Sequence, residues 1–195
     1  MSFEFRDQDH TYWLDGKRLP SVSEILTPVV DLSAIPDHVL ERKTAIGKAV
    51  HLACQIIDEG SDFGEALDPL LVPYVQAYRK FLAEHQPQWS MLEQASVNAE
   101  LAYAGTPDRF GCIGRIGGTD EWLIDLKTVA KVSPATGLQT AGYASLIGKK
   151  GCRRAALQLR PDGSYRLEEF KNPMDYAVFS SLLTLQHWKA KHASH

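Results

Sequence analysis

Asp125 and Lys127 stand two positions apart in Trp122-Leu123-Ile124-Asp125-Leu126-Lys127-Thr128, a stretch otherwise apolar enough for a buried β-strand. Side chains alternate along a strand, so both point to the same face of a sheet. Burying an unpaired charge is costly, and an apolar strand gives no structural reason to aim two charges together. A site that binds a metal ion and activates water supplies one. The spacing alone is unspecific, since acid-x-Lys recurs at Asp15-Gly16-Lys17, Glu41-Arg42-Lys43 and Glu169-Phe170-Lys171. Asp125 differs in its company: Gly105-Thr106-Pro107-Asp108 upstream, residues 139–143 downstream and residues 47–51 far upstream.

Asp108 follows a Gly-Thr-Pro turn at the start of a predicted strand, and lies beside Asp125 and Lys127 if the two strands pair as a hairpin. Two carboxylates brought together repel, and one takes up a proton unless a cation sits between them. Mg²⁺ suits such a place, because it takes hard oxygen ligands, often one or two carboxylates plus substrate phosphate. The backbone carbonyl of Leu126 is a further candidate oxygen ligand. Lys127 beside the metal can hold or deprotonate the attacking water, or stabilise charge in the transition state. Together these parts describe metal-assisted phosphodiester hydrolysis. The structural alternatives are a turn role for Asp108 and an ion pair for Asp125 with Lys127, although buried pairs add little reliable stability.

These residues need elements to hold them. Residues 11–14 and 17–20 read as a hairpin around Asp15-Gly16, a strong two-residue turn signal. Ser21-Val22-Ser23-Glu24 has the capping-box pattern, which predicts a short helix to about Pro28. Residues 36–59 read as a long helix, with Ile46, Val50, Ala53, Cys54 and Ile57 at helical spacing. A second helix is predicted over residues 68–85, with Pro69 in its first turn. Strands are then predicted over residues 91–102, 108–116 and 122–128, with Gly114, Gly117 and Gly118 loosening the end of the second and Thr119-Asp120 turning into the third. A helix over 135–147, a hairpin of strands 155–159 and 165–170, and a final helix after Pro173 complete the pattern. This order predicts an α/β protein with one mixed central sheet flanked by helices. A single domain is expected over residues 1–195: a hairpin and short helix in 1–35, a helical part in 36–88 and a catalytic sheet core in 89–195.

Composition narrows the function classes. Hydrophobic content of 44% is ordinary for a globular protein with a sizeable core. The net charge of -3 is not that of a non-specific nucleic-acid coat, yet a local basic face is compatible with it. Basic clusters stand at Arg42/Lys43/Lys48, Lys149/Lys150/Arg153/Arg154 and Lys189/Lys191. Cys54, Cys112 and Cys152 are odd in number and widely spaced, which points to reduced thiols rather than a disulfide framework or zinc site. No phosphate-binding glycine loop is present, which argues against an ATPase or a dinucleotide enzyme. No apolar run reaches membrane-span length and no signal peptide is visible, so a cytoplasmic protein of a bacterial or infected host cell is expected, with no membrane partner.

The motifs Gly105-Thr106-Pro107-Asp108, Ile124-Asp125-Leu126-Lys127 and Gln139-Thr140-Ala141-Gly142-Tyr143 resemble the PD-(D/E)xK nuclease superfamily. More narrowly, the chain looks like the RecB-type branch that includes phage recombination exonucleases. That branch has Asp in the D-x-K position, a Q-x-x-x-Y motif on the next helix and an upstream histidine in a Gly-x-x-Val-His context, matched by Gly47-Lys48-Ala49-Val50-His51. Leu19-Pro20-Ser21-Val22-Ser23 is also reminiscent of such proteins. The resemblance implies a restriction-endonuclease-like fold in which His51, Asp108 and Asp125 ligate metal and Lys127 is the catalytic lysine. Gln139 and Tyr143, one helical turn apart, would both face the site, Gln139 toward Lys127 or a DNA phosphate. Some relatives carry an acid on the preceding strand, which makes Glu100 a second-tier metal ligand. The three cysteines do not fit the iron–sulfur cluster of other relatives.

The resemblance implies a Mg²⁺-dependent deoxyribonuclease, with Mn²⁺ as a substitute: an exonuclease of phage or bacterial recombination or repair. A structure- or sequence-selective endonuclease of the same fold and a non-catalytic nucleic-acid-binding module are the alternatives. The expected partner is DNA; a recombination or single-strand-binding protein and a homo-oligomer are further options. Polarity, strand preference and oligomeric state stay open at the level of sequence.

Overall fold

The computed structural model describes residues 1–31, 33, 35–61, 63, 67–114 and 120–193. Alternation begins at the N-terminus. Phe3 and Phe5 turn inward and Glu4 and Arg6 outward in β1 (Phe3–Arg6), which pairs antiparallel with β2 (Thr11–Leu14). β2 turns through Asp15 and Gly16 into β3 (Lys17–Leu19), closing a three-stranded sheet. Both turn residues have positive φ, 48° and 77°, as a two-residue Asp-Gly turn requires. The hairpin is the one sequence predicts; β1 extends it. Ser21 then caps α1 (Val22–Ile25): the Glu24 N–H donates to Ser21 Oγ at 3.1 Å and the Ser21 N–H donates to Glu24 Oε2 at 2.8 Å.

The long helix is α2 (Asp37–Asp58) and the next is α3 (Val72–His85). α3 begins at Val72 rather than near Asp68. There, Asp68 Oδ1 accepts from the Leu70 N–H at 2.9 Å and its carbonyl from the Leu71 N–H at 2.8 Å, so a separate turn precedes the helix. Pro73, not Pro69, occupies the first helical turn, where its missing N–H costs nothing.

The stretch 91–102, expected as one strand, splits between two sheets. β4 (Gln88–Leu92) stops at Glu93, whose φ of 42° is left-handed. β5 (Ser96–Asn98) and β6 (Tyr103–Gly105) form a separate hairpin. β7 (Arg109–Cys112) is shorter than predicted, and the glycine-rich segment 115–119 lies outside the described residues. Then follow β8 (Glu121–Lys127), α4 (Ala135–Leu146), β9 (Arg153–Leu159), β10 (Tyr165–Glu169) and α5 (Met174–His192).

The central sheet has five strands in the order β10-β9-β8-β7-β4. β8 and β9 run parallel, with Lys127 opposite Gln158, and the other neighbours run antiparallel. The sheet is therefore mixed, as the element order predicts. Trp122, Ile124 and Leu126 of β8 pack with Val50 and Cys54 of α2 and Tyr78 and Phe81 of α3. Leu123 lies on the other face with Val22, Ile25, Tyr143 and Phe179, under α1, α4 and α5. Each large apolar side chain fully buried this way contributes about 1.5–3 kcal/mol. α4 and α5 approach closely at Gly142, where a Cβ would come within 2.5 Å of the Phe179 ring. Among the described residues no helix is long and apolar enough to cross a membrane.

Candidate metal and active site

The alternation that splits the two cores decides where the charges of β8 go. Asp125 and Lys127 share the Leu123 face, toward α4, as their spacing predicts. Asp125 is buried to 2% side-chain exposure, and its Oδ2 lies 2.6 Å from Lys127 Nζ. This ion pair is the one contact that satisfies the buried Asp125 Oδ2 among the described residues. Lys127 Nζ also donates to Gln139 Oε1 of α4 at 3.0 Å. Burial works against the Lys127 charge, but Asp125 and then Asp108 outweigh it and raise its pKa. These carboxylates favour the ammonium form of Lys127.

Asp108 ends the turn ahead of β7, and the β7–β8 register sets Arg109 opposite Ile124. The buried Asp108 Oδ2 accepts the Leu126 N–H at 2.6 Å. Burial raises the Asp108 pKa, against His51, which lowers it. Burial likewise raises that of Asp125, against Lys127.

His51 reaches this edge from α2. Its Nε2 lies 3.1 Å from the Leu126 carbonyl, an acceptor, so Nε2 donates there. Nδ1 then faces two carboxylates, 3.5 Å from Glu93 Oε1 and 3.6 Å from Asp108 Oδ2. Burial pulls the imidazole pKa down, but Asp108 and Glu93 overcome it and hold it up at about 9. One ligand atom from each of His51, Glu93 and Asp108 falls within 4.8 Å of the others, a spacing that can hold a metal ion.

Glu93 was not legible as a site residue. It enters because the strand breaks there: its N–H donates to the Asp108 carbonyl at 3.0 Å. Its carboxylate accepts from Arg109 Nη1 at 2.9 Å. Arg109 is fully buried; its Nε donates to Asp58 Oδ2 at 2.7 Å, and its Nη2 has no partner among the described residues. Asp58 also accepts from the Tyr78 hydroxyl at 2.7 Å and from Trp89 Nε1 at 3.1 Å. This buried set joins the end of α2 to β7 and to Glu93. Arg109 carried a readable signal, a charge inside an apolar strand directly after Asp108. Glu93, a lone acid in a short connection, carried none.

The expected residues therefore fare differently. The structure brings together His51, Asp108, Asp125, Lys127 and Gln139. Tyr143 is buried beside them and lines the same cavity; burial raises its hydroxyl pKa, so it stays protonated. The Leu126 carbonyl, expected as a metal ligand, accepts from His51 Nε2 at 3.1 Å. Glu100 is exposed in the turn between β5 and β6 and is outside the cluster, because the strand that was to carry it ends at Leu92. The acid that stands with His51 and Asp108 is Glu93.

A cavity of about 640 Å³ opens onto the cluster, lined by His51, Glu93, Asp108, Thr106 and Tyr143. Its opposite wall is the β1–β2 hairpin, with Phe5, Asp7, Asp9 and His10. The Tyr12 hydroxyl ties that wall to the site, at 2.8 Å from Thr106 Oγ1 and 3.0 Å from His10 Nε2.

No protein-family model matches the chain, and no curated protein matches it in sequence. Among solved structures it is similar to the crystal structure of SSO0001, at a TM-score of 0.49 and 14% identity, over 91% of this chain and 79% of that one. It is also similar to an alkaline exonuclease, LHK-Exo, from Laribacter hongkongensis, at a TM-score of 0.42 and 13% identity, over 89% of this chain and 92% of that one. The complex of LHK-Exo with dAMP gives a TM-score of 0.44 and 14% identity, over 90% of this chain and 93% of that one. Function is therefore read from the residues of the site.

Proposed function

We propose that the chain is a metal-dependent deoxyribonuclease, an exonuclease that hydrolyses DNA phosphodiester bonds in phage or bacterial recombination or repair. The observation that carries this reading is the His51/Glu93/Asp108 cluster set beside a buried Asp125 carboxylate that is paired with Lys127. Carboxylates this close repel unless a cation lies among them. His51 Nδ1, on giving up the proton that the carboxylates hold on it, would hold that cation with Glu93 and Asp108, Asp125 completing the oxygen-rich set; Mg²⁺ fits such donors and Mn²⁺ would substitute. A bound ion of this kind polarises a phosphoryl oxygen and lowers the pKa of its water.

The chain's own groups do the rest. The imidazole is oriented by the bond from Nε2 to the Leu126 carbonyl, which leaves Nδ1 toward the carboxylates. Lys127, steadied by Gln139, donates hydrogen bonds to the attacking water or to a phosphoryl oxygen as charge builds there. The protonated Tyr143 hydroxyl is a second donor on the cavity wall.

Hydrolysis of end-labelled DNA tests the reading, with Mg²⁺ and with EDTA, in wild type, Asp125→Ala and Lys127→Ala. Cleavage by wild type in Mg²⁺, lost in EDTA and in both variants, is expected. Equal, metal-independent behaviour of all three proteins sinks it.

A further inference from the structure

Val39, Lys43, Gly47, His51 and Gln55 follow one another four residues apart, along a ridge that winds around α2 by about 40° per step. Gly47, His51 and Gln55 line the acidic cavity already described. Val39 and Lys43 line a second cavity of about 680 Å³, toward the N-terminal end of the helix. Across from α2 this second cavity is closed by Thr128 and Val129, the residues directly after Lys127, by Tyr74 of α3 and by Arg160 at the end of β9. Gly47 of the first cavity faces Thr128 of the second, a Cβ on it lying 3.5 Å from Thr128 Oγ1, so the two cavities adjoin beside the catalytic strand.

Their charges are opposite. Arg42, Lys43 and Arg160 stand at the second cavity, and Arg42 and Lys43 have no ion pair among the described residues. The acid there, Asp162, accepts from the Ser164 N–H at 2.9 Å and the Ser164 hydroxyl at 2.6 Å. The walls are apolar: Val39, Ile46, Tyr74, Val129 and Pro161. The first cavity, by contrast, carries Asp7, Asp9, Glu93 and Asp108 against Lys48 and His51, so acids predominate there. A phosphate backbone leaving the cluster is repelled by the hairpin side and attracted by the Arg42/Lys43 side.

We propose that the cavity between Lys43, Tyr74 and Val129 binds single-stranded nucleic acid, with bases on its apolar walls and phosphates on its basic rim, next to the scissile bond. This rests on the nuclease reading of the adjacent cluster. Its size is that of a site for small ligands, which one or two unpaired nucleotides match. An unpaired base offers its face to an aromatic ring; a base inside a duplex spends both faces on its neighbours and offers none to Tyr74.

Fluorescence anisotropy of labelled oligothymidylate and of a blunt-ended duplex, both in EDTA, measures binding apart from hydrolysis. Wild type should bind oligothymidylate more tightly than the duplex. Replacing Arg42 and Lys43 together by Gln should flatten the slope of log affinity against log salt by about 1.4, roughly 0.7 per cation on a single strand. Tyr74→Ala should weaken oligothymidylate binding by about tenfold. Lys189→Gln with Lys191→Gln, on α5, should change neither. Circular dichroism checks that each variant is folded. Tighter binding of the duplex by wild type, or wild-type affinity and salt slope in the Arg42/Lys43 and Tyr74 variants, overturns the proposal. If these residues bind the strand but the protein hydrolyses no DNA, the nuclease reading falls and the cavity assignment stands. Hydrolysis with unaltered binding in the variants does the reverse.

Discussion

At Glu93 one carboxylate serves two partners, Arg109 Nη1 at 2.9 Å and His51 Nδ1 at 3.5 Å. Arg109 fixes its direction, so Glu93 meets the cluster as a held ligand rather than a free side chain. Glu93→Gln keeps the shape and removes the charge a cation would neutralise. The Mg²⁺ concentration for half-maximal hydrolysis should rise by about tenfold or more, the scale on which support of a metal site is lost. Glu100→Gln, in the exposed turn, should leave that titration unchanged. Lys127 and Gln139 divide their work differently. Lys127→Ala removes the ammonium itself and should lower kcat by about 10²–10³-fold with little change in KM, as for a donor used in the transition state. Gln139→Ala removes only one of its supports, since Asp125 still lies 2.6 Å from Nζ. Steady-state kinetics should place it between wild type and Lys127→Ala; equal losses would mean that Asp125 alone does not hold the Lys127 amine in place.

Between elements, position depends on a buried tie. Asp58 closes α2 two turns beyond His51, and its bond to Arg109 docks the helix on β7. Arg109→Ala would leave the buried Asp58 carboxylate with no counter-charge, which costs about 3–5 kcal/mol. Urea unfolding should show that loss as a lower midpoint. On the opposite face, Gly142→Ala forces a Cβ against Phe179 and should cost about 1–3 kcal/mol by overpacking, without touching α2. Much of this frame was legible. Helical spacing located α2 and α4, alternation located β8, and the Asp15-Gly16 turn and the Ser21 cap were read from single residues. Asp108, Asp125 and Lys127 stood out because charge in an apolar strand is anomalous. The break at Glu93 was hidden: its left-handed backbone carries no glycine or asparagine to announce it, so β4 and β5 read as one strand and Glu100 seemed to be the acid on it. The Arg109 tie was hidden too, because Asp58 and Tyr78 meet it only once the sheet and both helices are assembled.

For the molecule as a whole, a net charge of -3 means that DNA is not drawn to it from every side. Attraction must be local, and the surface beside the cluster is asymmetric: basic residues at the α2 end, and an acidic hairpin tip at the other. That tip stands across the cavity from His51 and Asp108 and is fastened through Tyr12 to Thr106. A strand that ends at the cluster avoids Asp7 and Asp9, whereas a strand that continues past it must carry phosphates over both. The exonuclease reading therefore predicts that linear single-stranded DNA is digested while a covalently closed circle of the same sequence persists, followed by gel electrophoresis in Mg²⁺. Reversing the tip charge with Asp7→Lys and Asp9→Lys should admit the circle to some degree and leave digestion of the linear strand intact, because neither residue is in the cluster. If wild type cuts the circle as fast as the linear strand, the hairpin does not stop the chain, and the endonuclease alternative replaces the exonuclease reading.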